Sequence, residues 1–332
     1  MPISFHSCAS IEGSIGECQL PAEETRSPYQ LELPYRLCDV FTASPLQGNQ
    51  LAVFEDASGL TTEEMQRLAN ETNLSETTFV VRRPPEVERS EGVRVRIFTT
   101  QEEFPFAGHP TLGTAATIRT FFPEYANAKE IVLDLNVGKV PLRFSAERGS
   151  PSVPYGVMTQ PKPVFGSVHD PAAVAAARGL RLDDLSPVAA PQTVSTGMAH
   201  CVVMLRSLDV LERLQIPQRE ATAYLAKTDA RFCYCFAPVA GEPDTWRARM
   251  QFYGGEDPAT GSAAGSMIAY LVRHTLAAPG REIHLVQGVE IGRRSDLYVS
   301  AARTTAGEIV EVRVGGSTVP VAKGVVFLRR FT

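Results

Sequence analysis

The chain has no basic stripe, no long apolar run and no cysteine pattern of the metal-binding kind, and each absence removes a class of function. It carries 32 Lys and Arg against 37 Asp and Glu, a formal charge of −5 over 332 residues. Nucleic-acid binders concentrate positive charge on one face, so no nucleic-acid partner is expected. No apolar run approaches the ~18–20 residues that cross a bilayer, and no positive segment precedes an apolar one at the N-terminus. No membrane span or secretory signal is therefore expected, and the expected location is the cytoplasm. The six cysteines, Cys8, Cys18, Cys38, Cys201, Cys233 and Cys235, fit neither zinc spacing nor Cys-x-x-Cys. Cys233 and Cys235 alternate with Phe232, Tyr234 and Phe236 at the period of a strand, which marks them as structural. No phosphate loop and no Gly-x-Gly-x-x-Gly following a strand is present, so neither ATP nor a nicotinamide is implied.

What is present is a large core: 44% of the residues are hydrophobic, and the length suggests two domains. Residues 1–34 are rich in Ser, Glu and Pro without periodicity and read as a flexible extension. Tyr35–Phe41 and Leu51–Phe54 read as strands. Thr61 and Glu64 have capping-box spacing, Met65, Leu68 and Ala69 form a helical stripe, and Asn73 is a plausible stop. Thr77–Val81 has strand character, which places Glu76 where a helix hands over to a strand. Val93, Val95 and Ile97 alternate with Arg94 and Arg96 as a half-buried strand, leading to a helix that ends near Pro123. Gln160-Pro161-Lys162-Pro163 reads as a hinge or linker. Beyond it the strand Trp246–Met250 leads to a helix with Met267, Ile268 and Leu271 on one face.

One internal echo organises the chain. His109-Pro110-Thr111-Leu112-Gly113-Thr114-Ala115-Ala116 overlays Asp257-Pro258-Ala259-Thr260-Gly261-Ser262-Ala263-Ala264. Each copy follows a strand and opens a helix, so a duplicated α/β fold with the copies facing across a cleft is the economical reading. The domains would be 35–160, with 320–332 as a candidate completion, and 161–319.

Small-residue turns that open helices leave backbone N–H groups free at the positive end of the helix dipole, a setting suited to carboxylates. Two facing turns would hold a small acid and stabilise enolate-like charge. Taken singly, Asp257 before Pro258 is an ordinary N-cap, His109 before Pro110 a turn residue, and a glutamate such as Glu76 a solvated surface group. Together at loop edges they are the residue types of general acid–base chemistry. No ligand cluster accompanies them, so no metal is expected.

The segments Asn73-Leu74-Ser75-Glu76-Thr77-Thr78-Phe79, Pro105-Phe106-Ala107-Gly108-His109-Pro110-Thr111-Leu112-Gly113 and Glu256-Asp257-Pro258-Ala259-Thr260-Gly261-Ser262-Ala263-Ala264-Gly265 closely resemble the PhzF-type phenazine-biosynthesis family, with Gln287–Arg293 as a fourth block. The resemblance implies the diaminopimelate-epimerase fold, in which two similar halves each wrap a curved sheet around a central helix. It further implies isomerisation of trans-2,3-dihydro-3-hydroxyanthranilate without cofactor or metal, and a homodimer. By that resemblance Glu76 shuttles a proton, with His109 and Asp257 as catalytic partners. Ser75, Gly108, Gly261, Ser262 and Ala263 are the implied substrate-binding set. The family's Gly-Asn-Pro is Gly48-Asn49-Gln50 here and its Gly-Arg-Pro-Ser is Gly292-Arg293-Arg294-Ser295. These departures, with Gly254-Gly255, bear on substrate shape. The alternatives are another small acid on the same fold, or a non-catalytic small-acid binder.

Overall fold

The computed structural model describes residues 31–252 and 255–329. The expected extension lies outside the described residues up to Gln30, as do Cys8, Cys18 and Gly254. Leu31–Pro34, assigned above to the extension, instead begin the first strand.

That strand, β1 (Leu31–Val40), runs antiparallel to β2 (Asn49–Phe54). Helix α1 (Thr62–Thr72) leads to β3 (Thr77–Val81), parallel to β2. After α2 (Pro85–Glu91), β4 (Val93–Phe98) pairs antiparallel with β3, and β5 (Glu103–Phe104) folds back on β4. Helix α3 (Gly108–Phe121) carries the chain to β6 (Glu130–Leu135), parallel to β4, and on through β7 (Gly138–Ser145) to β8 (Tyr155–Thr159).

The second half repeats this plan. It comprises β9 (Val164–Val168), α4 (Pro171–Ala177), β10 (Gln192–Ser195), β11 (Ala199–Met204), α5 (Leu208–Glu212) and α6 (Gln218–Leu225). Then follow β12 (Phe232–Pro238), β13 (Thr245–Phe252), β14 (Gly255–Glu256), α7 (Gly261–Arg273), β15 (Ile283–Gln287), β16 (Ser295–Arg303) and β17 (Ile309–Leu328). The pairings match step for step: β11 is parallel to β12 as β2 is to β3. Likewise β14 folds back on β13 before α7, and β15 then lies parallel to β13. The long β17 pairs with β16 in one half and β8 in the other, so the two curved sheets share a strand.

Local chemistry explains the elements read from sequence. Thr61 and Glu64 form the reciprocal capping box, and Asn73 closes α1 in the left-handed region at φ 51°. In β4 the valines and Ile97 are buried while Arg94 and Arg96 stay half-buried. The expectation of a one-faced apolar helix at Met267 is corrected: α7 is buried on every side from Gly261 to Val272, and α3 from Gly108 to Ile118. A helix enclosed by a curved sheet has no solvent face, so small residues replace amphipathic periodicity. Gln160 is also more than a linker, being buried and donating from Nε2 to the Gly261 carbonyl at 2.8 Å. Among the described residues, no helix is long and apolar enough to cross a membrane.

Candidate active site

The site starts from two backbones in contact. A Cβ placed on Gly108 would stand 2.4 Å from the Ser262 nitrogen and 2.5 Å from the Gly261 Cα. Only glycine permits this approach, so α3 and α7 meet at their N-terminal ends. Neither helix start has a side-chain cap. The free N–H groups and positive dipole ends of both helices therefore converge.

Around this junction a cavity of about 20 Å³, room for roughly one water, is lined by Glu76, His109, Asp257, Gly108, Gly261 and Ser262. Phe104, Phe106, Met198, Phe232 and Met250 form its apolar wall, and His200 and Thr260 complete it. Ser75 stands behind Glu76, its hydroxyl donating to Asn49 Oδ1 at 3.3 Å. Ala263 is buried one residue along α7 within the core and is not in the cavity wall. Among the described residues no group of three or more His, Cys, Asp or Glu side chains is placed to hold a metal ion.

The hydrogen bonds specify which atoms remain free. Asn49 Nδ2 reaches Asp257 Oδ1 at 2.7 Å and the Ala259 carbonyl at 2.8 Å. An amide has two hydrogens, and these acceptors take both. Asn49 Nδ2 also lies 3.0 Å from His109 Nδ1, and the His109 ring makes a hydrogen bond with the Gln50 backbone. His109 Nε2 lies 3.7 Å from Glu76 Oε2. Both atoms are buried and lack a hydrogen-bond partner among the described residues.

Burial sets the charges. It pushes the Glu76 carboxyl well above its ordinary range, and the negative charge of Asp257 pushes in the same direction, against a hydrogen bond from Ser75. Asp257 is raised to about 7 by burial, although hydrogen bonds from Thr260 and Asn49 pull it back. His109 is lowered to about 3 by burial. Burial thus opposes charge on both Glu76 and His109, so it works against an ion pair between them.

Three supporting residues were not singled out from sequence. Asn49 sits in one of the departing segments, yet it ties Asp257 to the loop after β1. Gln287 donates to the Asp257 carbonyl at 2.7 Å and to Thr260 Oγ1 at 2.9 Å. Arg293 donates to Asp39 Oδ1 at 2.6 Å, the Gln47 carbonyl at 2.7 Å and the Gly48 carbonyl at 2.8 Å, clamping the turn that presents Asn49. Gly48 at φ +68° would place a Cβ 2.4 Å from the Val40 carbonyl, so that turn requires glycine. Both ends of the fourth sequence block thus brace the site from behind, the one signal in sequence that pointed to them.

The similarity of this chain to known proteins extends over most of its length. The model of phenazine biosynthesis-like proteins matches residues 38–324. Trans-2,3-dihydro-3-hydroxyanthranilate isomerase of Pseudomonas aeruginosa is 39% identical over 298 residues, covering 89% of this chain and 99% of that protein. A predicted epimerase from Pseudomonas aeruginosa has a solved structure that superposes with a TM-score of 0.74 at 34% identity, covering 89% of this chain and 99% of its own. A PhzF-family protein of Bacillus anthracis gives a TM-score of 0.77 at 25% identity, with 90% and 100% covered. The architecture is the diaminopimelate-epimerase-like one, with the site between the two halves.

Proposed function

This chain belongs to the phenazine biosynthesis-like family and is an isomerase, and on that premise we propose that it isomerises trans-2,3-dihydro-3-hydroxyanthranilate, with Glu76 as the group that carries the proton. The observation that carries this reading is the unpartnered pair of Glu76 and His109 beside two converging helix starts. The substrate carboxylate lies against the free N–H groups at Gly108, Gly261 and Ser262. Glu76, as carboxylate, takes a proton from a ring carbon; the C–H electron pair enters the conjugated system. The same proton is returned to a second ring carbon, so no net oxidation occurs and Glu76 ends as it began. A carboxyl raised by burial is a stronger base when ionised and holds its proton readily between the two transfers. His109 Nε2 and Asp257 hold the substrate's polar groups. By family resemblance the working unit is a homodimer, which light scattering tests.

Ultraviolet monitoring of the protein mixed with trans-2,3-dihydro-3-hydroxyanthranilate tests the reading. Loss of the substrate chromophore is expected with the natural protein, and Glu76→Gln should reduce the rate by at least about 10²–10⁴-fold. Normal turnover by Glu76→Gln would refute the shuttle. Inertness of the natural protein would move the substrate to a different small acid.

A further inference from the structure

His200, on β11, lies outside both motif-bearing turns and takes no part in the proton transfer described above. It is buried and lines the same cavity. Its Nδ1 is 3.4 Å from Ser266 Oγ. The Ser266 hydroxyl gives its single hydrogen to the Ser262 carbonyl at 3.3 Å, and the His200 ring donates to the Met198 backbone while Nε2 has no partner among the described residues, so Nδ1 carries the ring hydrogen. Burial keeps the ring neutral, lowered to about 3. Nε2 is consequently a bare lone pair, without a partner among the described residues. Buried acceptors seldom stay unpaired, and the neighbouring wall of Met198, Phe232, Phe104 and Phe106 is apolar. A substrate group that displaces water here has to supply that hydrogen itself.

We propose that His200 Nε2 reads the substrate by accepting a hydrogen bond from its amino or hydroxyl group, so that the site selects small ring carboxylates bearing such a donor. The proposal rests on the isomerase reading for the location of the carboxylate, but not for the identity of the natural substrate.

Calorimetric titration of benzoate, anthranilate and 3-hydroxybenzoate into the full-length protein, His200→Phe and His200→Leu tests it. The natural protein should bind at least one donor-bearing acid about tenfold tighter than benzoate. Both variants should keep the benzoate affinity and lose that gain. An unchanged benzoate affinity also reports a folded cavity, and leucine, close to histidine in volume, replaces phenylalanine should the larger ring prevent folding. Equal weakening of all three acids, survival of the gain in both variants, or failure of the whole series to bind the natural protein would each overturn the proposal. Discrimination through His200 without turnover of the dihydro substrate would support it while refuting that substrate. Turnover without discrimination would do the reverse.

Discussion

Nε2 of His109 faces Oε2 of Glu76 across 3.7 Å, farther than a hydrogen bond, and neither atom has another partner among the described residues. A buried ring nitrogen and a buried carboxyl oxygen thus stand side by side in the cavity wall, each with unused hydrogen-bonding capacity.

Asp257 is the tuning charge for Glu76. In Asp257→Asn the negative charge that raises Glu76 is gone, so the ascending limb of the kcat/KM pH profile should move to lower pH, while the rate at its optimum falls by about a hundredfold. Stability carries a second signature. Asp257, raised to about 7, binds its proton more tightly folded than unfolded, so the natural protein loses stability as pH rises from about 4 to about 7. Asp257→Asn lacks this loss, and its advantage in thermal melts should grow across that window to roughly 4 kcal/mol at most.

His109 acts in the opposite direction. Its folded value of about 3 lies below the ordinary 6.5, so its contribution to stability is complete above 6.5 and is lost as pH falls towards 3. His109→Gln should melt with a weaker dependence on acid between pH 6.5 and 4 than the natural protein. An identical dependence would show that His109 is charged in the fold.

Asn49→Ala removes the donor that Asp257 Oδ1 and the Ala259 carbonyl share. Asp257 should then titrate above its value of about 7, because a hydrogen bond that pulls it down is lost. Turnover should fall about 10–100-fold and stability by about 1–3 kcal/mol, read from kinetics and denaturant titration.

Gly108→Ala inserts a methyl into backbone on α7, at 2.4 Å from the Ser262 nitrogen. Rigid main chain cannot yield as a flexible side chain would, so a loss of about 3 kcal/mol is expected in denaturant unfolding, with activity abolished. A fully stable, active variant would mean that the helix starts do not touch.

Much of the fold could be read in the sequence because it is encoded locally. The cap at Thr61, the left-handed Asn73 and the alternation in β4 each depend on neighbours within a few residues. The echo around His109 and Asp257 announced a duplication because both copies solve one local problem, a glycine-bearing turn into an enclosed helix. The short α2 was not read, having only Pro84-Pro85 and no apolar stripe to mark it. The full burial of α3 and α7 was missed for a related reason, since Met267, Ile268 and Leu271 mark only one buried face and the Gly, Ala, Ser and Thr residues on the others carry no apolar signal.

The sequence by itself determined the family, the paired helix-opening turns and the residue types available for proton transfer. Only the tertiary structure decided which atoms are free to react. Asn49 meets Asp257 from 208 residues away, and His200 reaches the cavity from a strand with no motif. Protonation and tautomer follow from burial and from how many hydrogens each neighbour can give, and both come into being only when distant segments pack together.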